Sequence, residues 1–242
     1  MSDERCALLT GAARGIGAAS ARALAGDGWS VAVNYRSDAE AAEALVTGIE
    51  ADGGTAAAIA GDLNEPKAVD ALFEAATERC GPVLALVNNA GIRADGLSPQ
   101  IDDAAWDVVI ETNLSLAFRC SRRALPTMLR RRFGRIVNVA SVVGPRANAG
   151  QANYAASKAG LIGMTRTIAV EVARRGVTVN AVAPGLVETK LTEGIGEEAM
   201  GEIPVRRPAR PEEIAAAVRF LASEDASYVT GTTLTVDGGL SA

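Results

Sequence analysis

Short apolar runs rich in Val, Ile, Leu and Ala recur along this chain, separated by longer alanine-rich stretches in which apolar and polar positions mix. Short β-branched runs bounded by turn formers read as buried strands, and the longer mixed stretches as helices. On this pattern strands are predicted at 6–10, 30–34, 55–60, 83–88, 135–140, 178–182 and 233–236. Helices are predicted to start near Gly15, Ser37, Pro66, Asp102, Gln151 and Pro211. Regular alternation of this kind predicts an α/β fold, a doubly wound parallel seven-stranded sheet with helices on both faces. No repeat, low-complexity tract or linker divides the chain, so residues 1–242 are read as a single domain.

Composition narrows the picture. Apolar residues make up 48% and aromatics only 4%, so the core must be built from small and branched aliphatics. No apolar run is long enough to span a membrane. Residues 1–5 are charged and lead straight into the first strand, which argues against a signal peptide and for a cytoplasmic protein. Cys6, Cys80 and Cys120 are odd in number and lack metal-ligand spacing, so they are read as reduced structural thiols and no metal is expected. Histidine is absent altogether, so proton transfer near neutral pH must use another group.

Tyr154 and Lys158 supply that group. Four residues apart on a predicted helix, they share a face, and Ser141 lies thirteen residues before the tyrosine. Between the first strand and first helix stands a glycine turn, Thr10-Gly11-Ala12-Ala13-Arg14-Gly15-Ile16-Gly17. In that context glycines let backbone approach a pyrophosphate, and the helix N-terminus offers free N–H groups. The order of glycine turn, Asn88-Asn89-Ala90-Gly91, Asn113, Ser141, Tyr154, Lys158 and Pro184-Gly185 resembles the short-chain dehydrogenase/reductase family from end to end. Within it, residues 133–138 and 150–160 are most similar to the 3-oxoacyl-acyl-carrier-protein reductases.

The resemblance implies a Rossmann-type fold, an NADPH/NADP cofactor and a set of site residues. Thr10, Gly11, Arg14, Gly15, Ile16 and Gly17 would cradle the pyrophosphate. At the end of the second strand, Asn34, Tyr35 and Arg36 stand where NAD enzymes carry an acid; Tyr35 takes that place, and Arg36 with Arg14 would hold a 2′-phosphate. Surface arginines without a ligand are the plainer alternative. Asp62 and Leu63 would meet the adenine. Asn89, Ala90 and Gly91 would lie by the ribose, unless they serve only to pack the sheet end. Pro184, Gly185, Val187 and Thr189 would hold the nicotinamide. Tyr154 would donate the proton, Lys158 would acidify it and bond the ribose, and Ser141 would hold the substrate carbonyl. Lowering a phenol from about 10 to about 7–8 requires ~3–4 kcal/mol, and one ammonium at about 4–5 Å supplies a similar amount. Asn113 would position a relay water, or else be a helix-kink or packing residue.

Charge adds a further observation. The chain carries −5 overall, yet positions 112–170 hold ten Arg or Lys and no Asp or Glu, leaving −15 for the rest. Arg119, Arg122, Arg123, Arg130, Arg131, Arg132 and Arg135 cluster there. Either acidic helices elsewhere neutralise them, or they form a docking surface for an acidic partner. The resemblance assigns Arg132 and Arg175 to acyl carrier protein. A pI near 5.0 and the lack of a reading motif argue against nucleic acid. Residues 186–210, with Gly194, Gly196 and Gly201, read as a substrate lid. Two departures from related reductases, residues 92–101 and Lys190, leave the acyl chain and pathway (fatty acid or polyketide) open. The resulting expectation is an NADPH-dependent 3-oxoacyl thioester reductase. Acetoacetyl-CoA or another small ketone is the alternative substrate, and a non-catalytic NADP-binding sensor the alternative class. The resemblance implies a homotetramer, through the helices starting near Asp102 and Gln151 and through residues 228–239.

Overall fold

A computed structural model of the protein describes residues 5–65, 67–189 and 200–242. Seven strands form one parallel sheet: β1 (Cys6–Leu9), β2 (Ser30–Tyr35), β3 (Thr55–Ala60), β4 (Val83–Asn88), β5 (Gly134–Val139), β6 (Val177–Pro184) and β7 (Thr233–Val236), in the order β3-β2-β1-β4-β5-β6-β7. The helices are α1 (Gly15–Gly26), α2 (Ala39–Ala51), α3 (Ala68–Cys80), α4 (Asp103–Ile110), α5 (Leu116–Arg131), α6 (Ala152–Val172) and α7 (Pro211–Ala222).

Alternation along the strands builds the two faces. Ala7, Leu9, Val31, Val33, Ala85, Val87, Val137 and Val139 point into one core with α1, α2 and α7. Their neighbours Cys6, Leu8, Ala32, Leu86 and Ile136 point the other way, into a core with α3, α5 and α6. Strands buried on both faces must be apolar at nearly every position, which is why they read as continuous runs. All three cysteines are buried and free.

Polar stitches sit at the carboxyl ends of the strands. Asn88 and Asn138 face each other in register on β4 and β5, with Asn88 Nδ2 donating to Asn138 Oδ1 at 2.7 Å and Asn138 Nδ2 to Thr165 Oγ1 at 2.8 Å. On β2, Asn34 Nδ2 donates to the Gly61 carbonyl, while its Oδ1 accepts from Gly11 N–H at 3.2 Å. On β6, Asn180 Nδ2 donates to the Val229 carbonyl at 2.8 Å. Asn34, Asn138 and Asn180 are bonded at both ends of the amide, and satisfied buried amides fix a unique geometry.

Two elements depart from expectation. Asp38 caps α2 by accepting from Ala41 N–H at 3.2 Å, so that helix begins at Ala39 rather than near Ser37. The helix expected from Asp102 is not continuous. A π turn, Glu111–Ser115, separates α4 from α5. A β-carbon on Gly160 would come within 2.9 Å of Leu114 Cδ2, so α6 packs closely against this turn because position 160 has no side chain. Pro66, Lys190, Gly194 and Gly196 lie outside the described residues.

Candidate active site

Strand order reverses between β1 and β4, and loops leaving a parallel sheet diverge at such a point to open a crevice. A cavity of about 910 Å³ occupies it and runs across the carboxyl ends of the strands. The glycine turn forms one wall. Gly11 and Gly15 adopt φ of +58° and +55°, which side chains rarely tolerate. A β-carbon on Gly17 would lie 2.6 Å from Ala12 Cα, so this glycine permits helix-to-turn packing. Thr10 Oγ1 accepts from both Asn89 N–H and Ala90 N–H at 3.1 Å, and Asn89 Nδ2 donates to the Gly11 carbonyl at 2.9 Å. Thr10 and Gly17 therefore shape the cradle from behind, while Gly11, Arg14, Gly15 and Ile16 line it.

At the far end of this wall Asn34, Arg36, Asp62 and Leu63 line the cavity. Tyr35 does not: it packs against the core beneath α1 and α2. Both arginines are already matched to carboxylates, Arg14 to Asp38 and Arg36 to Asp62, the latter at 4.0 Å. The sequence hides the first match, because nothing in the spacing of Arg14 and Asp38 brings them together.

On the opposite wall β5 delivers Ser141 and α6 delivers Tyr154 and Lys158. Ser141 Oγ accepts from Val143 N–H at 3.0 Å. Lys158 is buried, its Nζ donating to the Val139 carbonyl at 2.8 Å and lying 5.6 Å from the centre of the Tyr154 ring. Burial pushes the Lys158 ammonium down to about 8. The Tyr154 phenol is pushed up by burial, against the downward pull of a hydrogen bond with Ser141 and of the Arg93 charge. The Lys158 ammonium donates to a backbone carbonyl beside the ring, and burial outweighs the charges around the phenol in setting the direction of its shift.

Asn113 is also redirected. Its Oδ1 accepts from Ile92 N–H at 2.8 Å, and its Nδ2 donates to the Ile92 carbonyl at 3.0 Å and to Ser157 Oγ at 3.1 Å. With these bonds the side chain clamps the strand-to-loop junction and does not line the cavity. Its neighbour Thr112 does, and Thr112 Oγ1 is buried with no hydrogen-bond partner among the described residues. A polar atom of that kind suits a water, and sequence reading overlooked it because threonine in a helix carries no signal.

The clamp continues along the loop. Asn153 Nδ2 donates to the Ala94 carbonyl at 2.9 Å, Gln151 Nε2 to both Asp95 carboxylate oxygens at 3.1 and 3.0 Å, and Gly96 N–H to the Gly150 carbonyl at 2.8 Å. Residues 92–96 are thus laced to the start of the helix that carries Tyr154. Pro184, Gly185, Val187 and Thr189 line the same cavity. Val187 bridges Ala209, so the two ends of the expected lid meet.

Two arginines of the basic cluster meet carboxylates and a third is buried, while Arg122, Arg130, Arg131 and Arg132 are exposed. Arg119 pairs with Glu111, and Arg123 with Asp70 at 2.9 Å. Arg135 is buried, donating to the Ser223 carbonyl at 2.9 Å. Arg132 and Arg175 remain exposed. They lie near each other, since a β-carbon on Gly176 would sit 2.5 Å from the Arg132 carbonyl oxygen. They precede β5 and β6, at the end of the sheet opposite the cavity. Among the described residues no cluster suits a metal, and no helix is long and apolar enough to cross a membrane.

A glycine cradle at a strand-order reversal, with Ser, Tyr and Lys converging on its open end, is the arrangement of a dinucleotide-dependent oxidoreductase. Residues 11–241 match the family model described as enoyl-(acyl carrier protein) reductase, and the chain belongs to the short-chain dehydrogenase/reductase family. It is 46% identical over 236 residues to the 3-oxoacyl-(acyl-carrier-protein) reductase of Synechocystis sp., covering 97% of this chain and 96% of the relative. It is 45% identical to the proteins of the same name from Staphylococcus aureus, over 99% of each chain, and from Vibrio cholerae, over 98% of this chain and 97% of the relative. A nicotinamide cofactor is common to this family.

Proposed function

We propose that the chain is an NADPH-dependent reductase of 3-oxoacyl thioesters, acting as a single dinucleotide-binding domain on carrier-protein substrates. One observation carries the reading: the Tyr154 and Ser141 side chains line the open end of the glycine cradle together, with the buried Lys158 beside the Tyr154 ring. The nicotinamide would supply the hydride. Gly11, Gly15 and the α1 N-terminus would hold the pyrophosphate, and Arg14 and Arg36 the 2′-phosphate. Asn89, Ala90 and Gly91 would meet the ribose, and Pro184 to Thr189 the ring. Ser141 and Tyr154 would donate to the keto oxygen. Tyr154 would then release its proton as negative charge develops there, while Lys158 stabilises the resulting phenolate. Relatives named for the acyl carrier protein support the substrate class.

Arg132 and Arg175 are the candidate carrier contacts. β5 separates them from Ser141 by about 20 Å at ~3.3 Å per residue, so a docked carrier needs an arm of that length, or it feeds another protomer's cleft. A homotetramer is supported by apolar side chains left exposed where interfaces were expected: Trp106, Phe118 and Val170 on α4, α5 and α6, and Tyr228 before β7. NADPH oxidation with matched carrier-protein, coenzyme A and non-thioester ketones tests the reading. Preference for the carrier-borne 3-oxoacyl group is expected, and equal rates with simple ketones would overturn it.

A further inference from the structure

Arg93 stands in the loop that follows β4 and is laced to the start of α6. The backbone on either side of it is pinned, Ile92 by the Asn113 side chain and Ala94 by Asn153. Its side chain is largely covered, 28% exposed, and lines the cavity together with Ser141, Gln151 and Tyr154. Asp95 lies 3.9 Å from the guanidinium Nε. That separation is too long for a hydrogen bond, so the carboxylate steers the guanidinium by charge. Asp95 is itself oriented by Gln151, three residues before the tyrosine. The loop that carries this long cationic side chain is thereby held against the start of the helix that bears Tyr154.

We propose that Arg93 is the specificity-determining residue of the cleft: it donates to the thioester carbonyl of a 3-oxoacyl substrate while Ser141 and Tyr154 hold the 3-keto oxygen, selecting 1,3-dicarbonyl compounds over monoketones. The proposal rests on the reductase reading above. The two oxygens of such a substrate are separated by one methylene, so a group that reads the second must stand beside those that read the first. Arg93 stands close enough for its charge to act on the Tyr154 phenol. A planar fork of N–H donors suits a carbonyl oxygen through charge-assisted bonds. A site built to hydrogen-bond a substrate oxygen discriminates strongly against analogues that lack it.

The test compares two substrates in the full-length enzyme with NADPH: acetoacetyl-CoA, and 2,2,2-trifluoroacetophenone, an activated ketone with no second carbonyl. Arg93→Leu is expected to lower kcat/KM for acetoacetyl-CoA by roughly 100-fold and that for the monoketone, through the charge lost beside Tyr154, by no more than about tenfold, with the NADPH Kd within about threefold of wild type. Arg93→Lys, which keeps the charge and loses the fork, should fall between the two, and it carries the same comparison if the leucine variant does not fold. Equal loss on both substrates would show that Arg93 acts through Tyr154 or the fold, and no loss on either would show that it reads nothing; both overturn the proposal. A wild-type enzyme that reduces the monoketone but not acetoacetyl-CoA would instead remove the reductase reading, whatever the variants do.

Discussion

The two walls of the cleft are built by different means. The nucleotide wall is made of backbone: left-handed glycines at 11 and 15, a small-residue contact at 17, and one helix N-terminus, all within a single turn of chain. The catalytic wall is made of side-chain amides that tie distant segments together. Asn113 reaches Ile92, Asn153 reaches Ala94, and Gln151 reaches Asp95. A backbone cradle tolerates many substrates above it, because its ligand is always the same. An amide-laced wall holds reacting groups to a narrow geometry, and its composition can change with the substrate. Cofactor binding and chemistry should therefore separate under mutation.

The largest separation is expected at Tyr154. Tyr154→Phe removes the proton donor and leaves the ring and the cradle in place. Ketone reduction should fall by about a thousandfold or more, with NADPH affinity within about threefold, measured by steady-state kinetics and cofactor titration.

Lys158 sharpens the contrast through stability. Its ammonium sits at about 8 in the fold, against an ordinary value of 10.5. Between those two values the unfolded chain binds a proton that the folded chain does not, so wild-type stability should rise with pH across that window and be lowest below it. The full depression corresponds to about 3 kcal/mol. Lys158→Met should lose reduction, gain stability of that order at pH 7 and show no such slope, as measured by urea denaturation at pH 7 and 10. A variant less stable than wild type at pH 7 would mean that the bond to Val139 outweighs the buried charge.

On the other wall, Arg36→Asp should reduce the preference for NADPH over NADH by roughly 10–100-fold, since charge-assisted hydrogen bonds contribute about 1.5–3 kcal/mol. Turnover at saturating cofactor should change little. An unaltered preference would leave Arg14 as the discriminator. The smallest effect is expected far from both walls. Arg132→Glu with Arg175→Glu should raise KM for carrier-borne substrate by about fivefold per contact, with a salt-sensitive difference and no change for the coenzyme A thioester. A change on both substrates would make this pair structural.

These differences also explain what could be read in the sequence. All seven strands and the glycine turn were legible, because burial on both faces leaves a continuous apolar run and a tight turn demands glycine. Ser141, Tyr154 and Lys158 were legible by spacing, and they do line one cavity. Side-chain partners were not legible. The Asp38 that meets Arg14 lies beyond the end of β2, and the Asp70 that meets Arg123 lies in another helix. Tyr35 ends a strand whose alternation directs it into the core, so its position in the motif misled. Arg135 could have been recognised as buried, since it lies within a strand whose every residue is buried. Asn113 suggested a water site, whereas both ends of its amide are committed to protein groups.

The central claim is that one wall holds the cofactor and the other performs the proton transfer. Paired NADPH titrations and single-turnover reduction of a 3-oxoacyl thioester, run on Tyr154→Phe and Arg36→Asp, test it most directly. The account predicts opposite failures: Tyr154→Phe binds NADPH normally and does not turn over, and Arg36→Asp binds NADPH weakly yet turns over near the wild-type rate once saturated. Loss of both binding and turnover in both variants would contradict it.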